Sequence, residues 1–175
     1  MAHLGTCLGP LDRILGGGYP ARSVIEIAGP PRSGRTLLLF HAALAHLLKH
    51  PAATCCWLDT KGTFGRDVTR TVDIINALVA GLRREGRAFR TAAGEEMDGD
   101  AIVGATLERL LISVRVEREG ALETIATCVG GATAERRVEL IVIDSIDTIL
   151  EAGQSQGTRA QGKCRISVPG PPACI

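Results

Sequence analysis

The sequence predicts an α/β domain with a mostly parallel sheet flanked by helices. Three observations carry this. Four short runs, SVIEIAG (residues 23–29), TCCWLD (54–59), LLISVRV (110–116) and VELIVID (138–144), are apolar or β-branched almost throughout. They do not alternate in and out as a half-exposed antiparallel sheet would. Helical patterns separate them, which implies crossover connections. The length, 175 residues, suits one domain, and 45% hydrophobic residues suffice for a core that buries roughly 70% of the unfolded surface.

The elements follow in order. SVIEIAG is bounded by glycine and proline and reads as a buried strand. Residues 34–50 read as a helix, largely apolar through Leu37, Leu38, Ala42, Leu44, Ala45 and Leu48, and Pro51 ends it. TCCWLD is the next strand. Val68, Val72, Ile75, Val79 and Leu82 then recur at helical spacing, which puts them on one face. Residues 86–100 are rich in glycine and alanine, pass from basic to acidic, and read as a surface loop. A short helix to about Leu107 leads into LLISVRV. Residues 121–128 are helical, and VELIVID closes the pattern. From Gly153 periodicity vanishes; residues 153–175 read as a disordered or aberrant tail behind a core of residues 1–152.

Composition narrows the function classes. The formal net charge is +1, which gives no general attraction to nucleic acid. Its distribution is uneven: residues 1–50 carry five basic and two acidic groups, whereas residues 101–152 carry five and nine. A polyanion site therefore belongs near the N-terminal third or the tail. The six cysteines form no C-x-x-C pair, so zinc ligation has little support. Neither a signal peptide nor an apolar run long enough for a membrane span is expected, and a reducing intracellular compartment fits the cysteines best.

The chemistry gathers in one stretch. Gly29, Pro30, Pro31, Arg32, Ser33, Gly34, Arg35 and Thr36 fit the phosphate-loop pattern G-x-x-x-x-G-K-[ST], with Arg35 in the lysine slot. Glycines let successive backbone N–H groups turn inward around an anion. The following helix directs its positive end at the same place. The Thr36 hydroxyl is a candidate Mg²⁺ ligand. Asp144, closing an apolar strand, stands where a metal-orienting carboxylate sits in phosphate-loop proteins, although an N-cap role would give the same residue. The pattern implies a nucleotide phosphate group and Mg as ligands. The sole asparagine, Asn76, precedes Ala77, so the N-K-x-D motif that reads guanine is absent.

Two further stretches, LDRILGGGYPARSVIEIAG (residues 11–29) and CWLDTKGTFGRD (56–67), resemble the RecA-like recombinase family, with the closest likeness to eukaryotic recombinase paralogues of homologous recombination. LERLLISVRV and VELIVIDSI continue the resemblance in register, over roughly residues 5 to 150. It implies a RecA-type phosphate-loop fold, ATP and Mg binding, a role in DNA repair within the nucleus, and partners among other paralogues or the main recombinase, with DNA reached through the complex. Three departures stand out. Arg35 replaces the loop lysine with a bulkier planar cation. Lys61 holds the position where the family's D-T-E-G-T-F motif has a water-polarising glutamate, and a protonated lysine accepts no proton near pH 7. Nothing after Gly153 resembles the family's DNA-binding loops, so a C-terminally incomplete core is expected.

The reading is therefore an ATP-binding paralogue with weak or no hydrolysis. Two alternatives stay open: an active DNA-stimulated ATPase with Asp59 or a partner's residue replacing the glutamate, and an inert fragment with an exposed sheet edge. Lesser features take plainer readings. His41, His46 and His50 share one helix and read as solvated rather than metal-binding. Arg83, Arg84, Arg87 and Arg90 read as a solvated basic helix end. Trp57 reads as core, and Phe64 as a neighbour of the nucleotide. Aromatic residues, at 3%, are too few for a base-stacking platform.

Overall fold

A computed structural model describes residues 3–62, 64, 68–114, 117–130 and 138–152. The tail from Gly153, read above as disordered or aberrant, lies outside the described residues. The elements are β1 (His3–Leu4), α1 (Gly9–Ile14), β2 (Tyr19–Pro20), α2 (Arg35–Lys49), β3 (Thr54–Asp59), α3 (Val68–Arg84), α4 (Gly99–Leu107), β4 (Leu110–Val114), α5 (Arg118–Val129), β5 (Val138–Asp144) and α6 (Ile146–Ala152). The predicted α/β class is correct. The main sheet is parallel, in the order β4-β3-β5, and β1 pairs with β2 in a separate antiparallel hairpin.

β3 is the centre because its residues suit burial on both faces. All six are buried. Side chains alternate across a strand, so Cys55 and Trp57 enter one apolar cluster, with α2, α3 and α4. Cys56 and Leu58 enter the other, with Ala121 of α5 and Ile149 of α6. Both cysteines behave as the small hydrophobes their context suggests. Burial, with Cys128 adding, pushes the Cys56 thiol up to about 12, which leaves it unreactive as a nucleophile.

One predicted strand does not form. Residues 23–29 are unpaired, and Val24 is 85% exposed. Strand preference measures fit to a half-buried pleated surface, and among the described residues no strand lies alongside this segment. The face of α3 also needs correction. Its buried stripe runs through Thr71, Ile74, Ile75, Leu78, Val79 and Leu82. Val68 is 56% exposed. The spacing from Ile75 to Leu82 set the right phase, but Val68 lies in the first turn, beyond the reach of α2. The loop expected over residues 86–100 ends at residue 98, because Asp98 caps α4 and Gly99 and Asp100 open that helix; it is pinned by Met97 N–H donating to Phe89 O at 2.9 Å and Thr91 N–H to Glu95 O at 2.8 Å.

The basic helix end is not merely solvated. Arg83 donates to Met97 O at 2.9 Å, Arg90 to Gly94 O at 2.8 Å, and Arg87 to Lys49 O. These guanidinium groups satisfy loop and helix-end carbonyls that water would otherwise hold. Arg109 does the same on a larger scale: its Nη1 faces Leu47 O, His50 O and Ala53 O at 2.8, 3.0 and 3.2 Å, closing the C-terminus of α2.

His46 corrects another expectation, because it is buried rather than solvated, with Nε2 at 3.4 Å from Glu139 Oε2. Burial holds its pKa below the ordinary 6.5, and His50 adds to this; Glu139 pulls weakly the other way. His41 is lowered by burial as well. A native state that binds these protons more weakly than the unfolded chain has its full stability above the unfolded pKa. That stability is lost as pH falls from there towards the folded pKa. The urea midpoint should therefore drop between pH 7.5 and 5.5, and His46→Leu should flatten that slope; a profile unchanged by the substitution would exclude His46 as the source.

No helix among the described residues is long and apolar enough to cross a membrane.

Candidate nucleotide site

The site stands at the C-terminal ends of β3 and β5, where α2 begins. Its loop takes the backbone shape the glycines allow. Arg32 and Gly34 have positive φ, 65° and 88°, and Ser33 N–H donates back to Pro30 O at 3.2 Å. A Cβ on Gly29 would lie 2.7 Å from Ser33 Oγ, so that position admits only glycine without a shift. Gly34 caps α2 in the left-handed region, which points the free N–H groups of its first turn outward beside the loop.

Thr36 and Asp144 meet although 108 residues separate them: Thr36 Oγ1 donates to Asp144 Oδ2 at 2.9 Å. A hydroxyl and a carboxylate are hard oxygen donors and suit Mg²⁺. The N-cap reading of Asp144 finds no support beside this contact, since α6 starts two residues later at Ile146. The donor set fits Mg²⁺, with Thr36 and Asp144 as the residues that would hold it and the loop N–H groups and Arg35 as partners for phosphate oxygens.

The ends of the two strands are tied together by Thr60. Its N–H donates to Asp144 O at 3.0 Å. Its hydroxyl accepts from Ser145 N–H at 2.8 Å and donates to Ser145 O at 3.0 Å. Thr60 thus fixes the backbone that carries the Asp144 carboxylate. This role was not read from the sequence; a threonine following a strand that ends in aspartate gives no signal of a partner 85 residues away.

Asp59 is buried and committed. Its carboxylate accepts Lys61 N–H at 3.2 Å and Phe64 N–H at 2.6 Å. Both oxygens hold the turn that presents residue 61, so Asp59 is poorly placed to stand in for a catalytic glutamate. Lys61 Nζ lies 4.0 Å from Asp147 Oδ2, with both side chains about half exposed. Such a pair contributes little and leaves the ammonium free to swing.

Beside the Thr36–Asp144 contact opens a cavity of about 310 Å³, lined by Phe40, Trp57 and Phe64 together with Arg70, Thr71 and Ile74. Trp57 stacks on Phe40 with centroids 4.6 Å apart and meets Phe64 edge-on at 5.4 Å. Trp57 is thus core, as expected, and Phe64 borders the site, as the resemblance implied. Phe40 was missed, yet it lies four residues after Thr36 on the same helix, and that spacing puts it on the same face. Among the described residues no group of three or more His, Cys, Asp or Glu side chains is placed to hold a metal ion, and the three helix histidines bring no further ligand together.

Comparison with known proteins agrees with this architecture. The chain is 28% identical over 149 residues to the protein RecA of Prochlorococcus marinus, covering 84% of this chain and 30% of that protein. It is 30% identical over 147 residues to the protein RecA of a Synechococcus species, covering 84% and 29%. For the protein RecA of Parasynechococcus marenigrum the identity is 29% over 147 residues, with the same shares. No family model matches the chain. The chain spans about 30% of the length of these bacterial relatives. Similarity over 84% of the chain, joined to a parallel sheet with a glycine-rich loop leading into α2, supports a RecA-type phosphate-loop fold and a place in the RecA-like superfamily.

Proposed function

We propose that this chain is an ATP-binding recombinase paralogue that assists DNA repair by homologous recombination, holding Mg-ATP with weak or no hydrolysis. The observation that carries the reading is the 2.9 Å contact of Thr36 with Asp144 beside the phosphate loop. It brings together the two residues that would hold the metal, while the neighbouring turn offers Lys61 and, among the described residues, no free carboxylate base. Arg35 keeps a positive charge for phosphate but, as a planar fork, does not reproduce the point charge of lysine. Lys61, held weakly by Asp147, is within a turn of the site and can neutralise a terminal phosphate. Retention without turnover makes ATP an assembly ligand, one that favours the conformation partners recognise. Those partners are other recombinase paralogues or the main recombinase, in the nucleus, with DNA reached through the complex. The resemblance of residues 11–29 and 56–67 supports this part of the reading.

The test pairs unfolding with turnover. Mg-ATP at a hundred times its dissociation constant stabilises by about 2.7 kcal/mol, which raises the melting temperature of a domain this size by roughly 5–10 °C. Asp144→Asn and Thr36→Val should each abolish the shift. Phosphate release should stay far below typical phosphate-loop ATPase rates. Turnover of ordinary size that is lost in Thr36→Val would replace this reading with that of an active ATPase.

A further inference from the structure

We propose that Cys56 and Cys128 are a modification site, a facing thiol pair that hydrogen peroxide closes into a disulfide, fastening α5 to the central strand of the sheet. The site lies apart from the phosphate loop and does not depend on the ATP-binding reading.

Side chains alternate along β3, and this sorts the described cysteines between the two faces of the sheet. Cys55 enters the apolar cluster with α2, α3 and α4, and Cys7 packs against the same cluster. Cys56 points the other way, into the cluster of Leu58, Ala121 and Ile149, and Cys128 packs against that one. There the Cys128 thiol lies within hydrogen-bonding reach of the Cys56 thiol. All four cysteines are unbridged. The sheet thus screens Cys56 from Cys55 and Cys7, and Cys128 is its thiol partner among the described residues. A disulfide needs its two Cα atoms within about 7 Å. α5 meets this face through Ala121, which is 1% exposed, and a side chain of one methyl group lets the helix lie close to the strand.

The two thiols differ in access. Cys56 is buried. Cys128, in the last turn of α5, is partly exposed and lines a cavity of about 420 Å³ together with Ser113, Val114, Glu117 and Glu123. Hydrogen peroxide, roughly the size of two waters, fits readily in such a space. The order of events follows, because the thiolate is the reactive form. Burial first, and Cys128 second, push the Cys56 thiol up to about 12, so in the reduced chain it stays protonated and oxidation begins at Cys128. Glu117 and Glu123 disfavour an anion beside them, so millimolar rather than micromolar peroxide is needed.

The sulfur of Cys128 attacks one oxygen of the peroxide. The O–O bond breaks, the sulfur becomes a sulfenic acid, and the second oxygen leaves as water with the thiol proton. A neutral sulfenic acid no longer opposes a negative charge on Cys56. The Cys56 sulfur then attacks the Cys128 sulfur, the S–O bond breaks, and the hydroxyl leaves as water with the Cys56 proton. Two thiols lose two electrons in all, and one peroxide is reduced to two waters. The bridge shortens the freedom of the unfolded chain between the two cysteines, which stabilises the fold.

The experiment treats the reduced full chain with millimolar hydrogen peroxide at neutral pH. Remaining thiols are then blocked, and the peptides are mapped by mass spectrometry without reductant. The expected result is a linked peptide pair containing Cys56 and Cys128, lost on adding dithiothreitol, with a melting temperature raised by at least roughly 5 °C before reduction. Cys128→Ser should give neither the link nor the shift. Cys164→Ser/Cys174→Ser, which removes the two tail thiols, should give both. In Cys56→Ala, dimedone should trap a sulfenic acid at Cys128 that the parent chain does not accumulate. Sulfenic or sulfinic acid at Cys128 of the parent with Cys56 still reduced would overturn the inference. So would a bridge from either residue to another cysteine, or both thiols left unoxidised.

Discussion

The double variant Arg35→Lys/Lys61→Glu is expected to hydrolyse ATP at least roughly a hundredfold faster than the parent chain, the lower end of what a positioned general base contributes. Residue 61 sits on a turn whose backbone is fixed by Asp59, through the N–H groups of Lys61 and Phe64. A glutamate placed there inherits that position. It brings an acceptor for the proton of an attacking water, which the ammonium of Lys61 cannot provide. Lysine at position 35 restores a compact cation at the head of α2, where a displacement of one ångström costs large rate factors. Steady-state phosphate release at saturating Mg-ATP is the measurement. Arg35→Lys alone should change little, because position 61 still carries an ammonium rather than a carboxylate. If the double variant binds ATP as the parent does and still fails to turn it over, the proposed lack of hydrolysis does not originate in these two side chains.

Trp57→Ala should cost about 3–5 kcal/mol, the range for removing a large buried aromatic. Trp57 is 1% exposed at the middle of β3. It touches Phe40 of α2 and Phe64 of the following turn, so its loss opens a hole between the sheet and the helices on that face. Against a typical total of 5–15 kcal/mol, such a loss leaves the chain close to unfolding at room temperature. The parent has one tryptophan, so circular dichroism rather than fluorescence should follow the urea transition. Leu122→Ala, on the exposed side of α5 at 49% exposure, serves as the control and should move the midpoint by less than about 0.5 kcal/mol. Equal effects from the two variants would mean that the aromatic cluster is not where the stability resides.

Much of the fold was legible because its determinants are local or periodic. TCCWLD, LLISV and VELIVID form the parallel sheet, and Pro51 and Gly34 bound α2 as their backbone chemistry requires. The motif of residues 29–36 and the aspartate that closes VELIVID pointed to the Thr36–Asp144 pair, since the start of a helix and the C-terminal end of a parallel strand meet at one edge of such a sheet. What was not legible depends on neighbours. SVIEIAG has the composition of a strand and, among the described residues, no partner beside it. His46 looks solvated on a helical wheel but is covered by β5 through Glu139. The Thr60–Ser145 clamp and the carbonyl-binding role of Arg109 join segments far apart in sequence, and neither residue type announces such a partner.

The strand order bears on how the chain is made. β3 is flanked by two strands that both come later: Cys55 pairs with Leu110 on one side and with Leu140 on the other. At typical rates of synthesis, about 5–20 residues per second, the most buried strand of the protein waits roughly three to eleven seconds for its first neighbour and longer for its second. During that time TCCWLD leaves the ribosome as a strand-forming hexapeptide whose one charge, the terminal aspartate, is all that repels association. The nascent chain is therefore most exposed to mispairing in the window between α2 and β4, and slowing synthesis there should lower the soluble yield more than slowing it anywhere later.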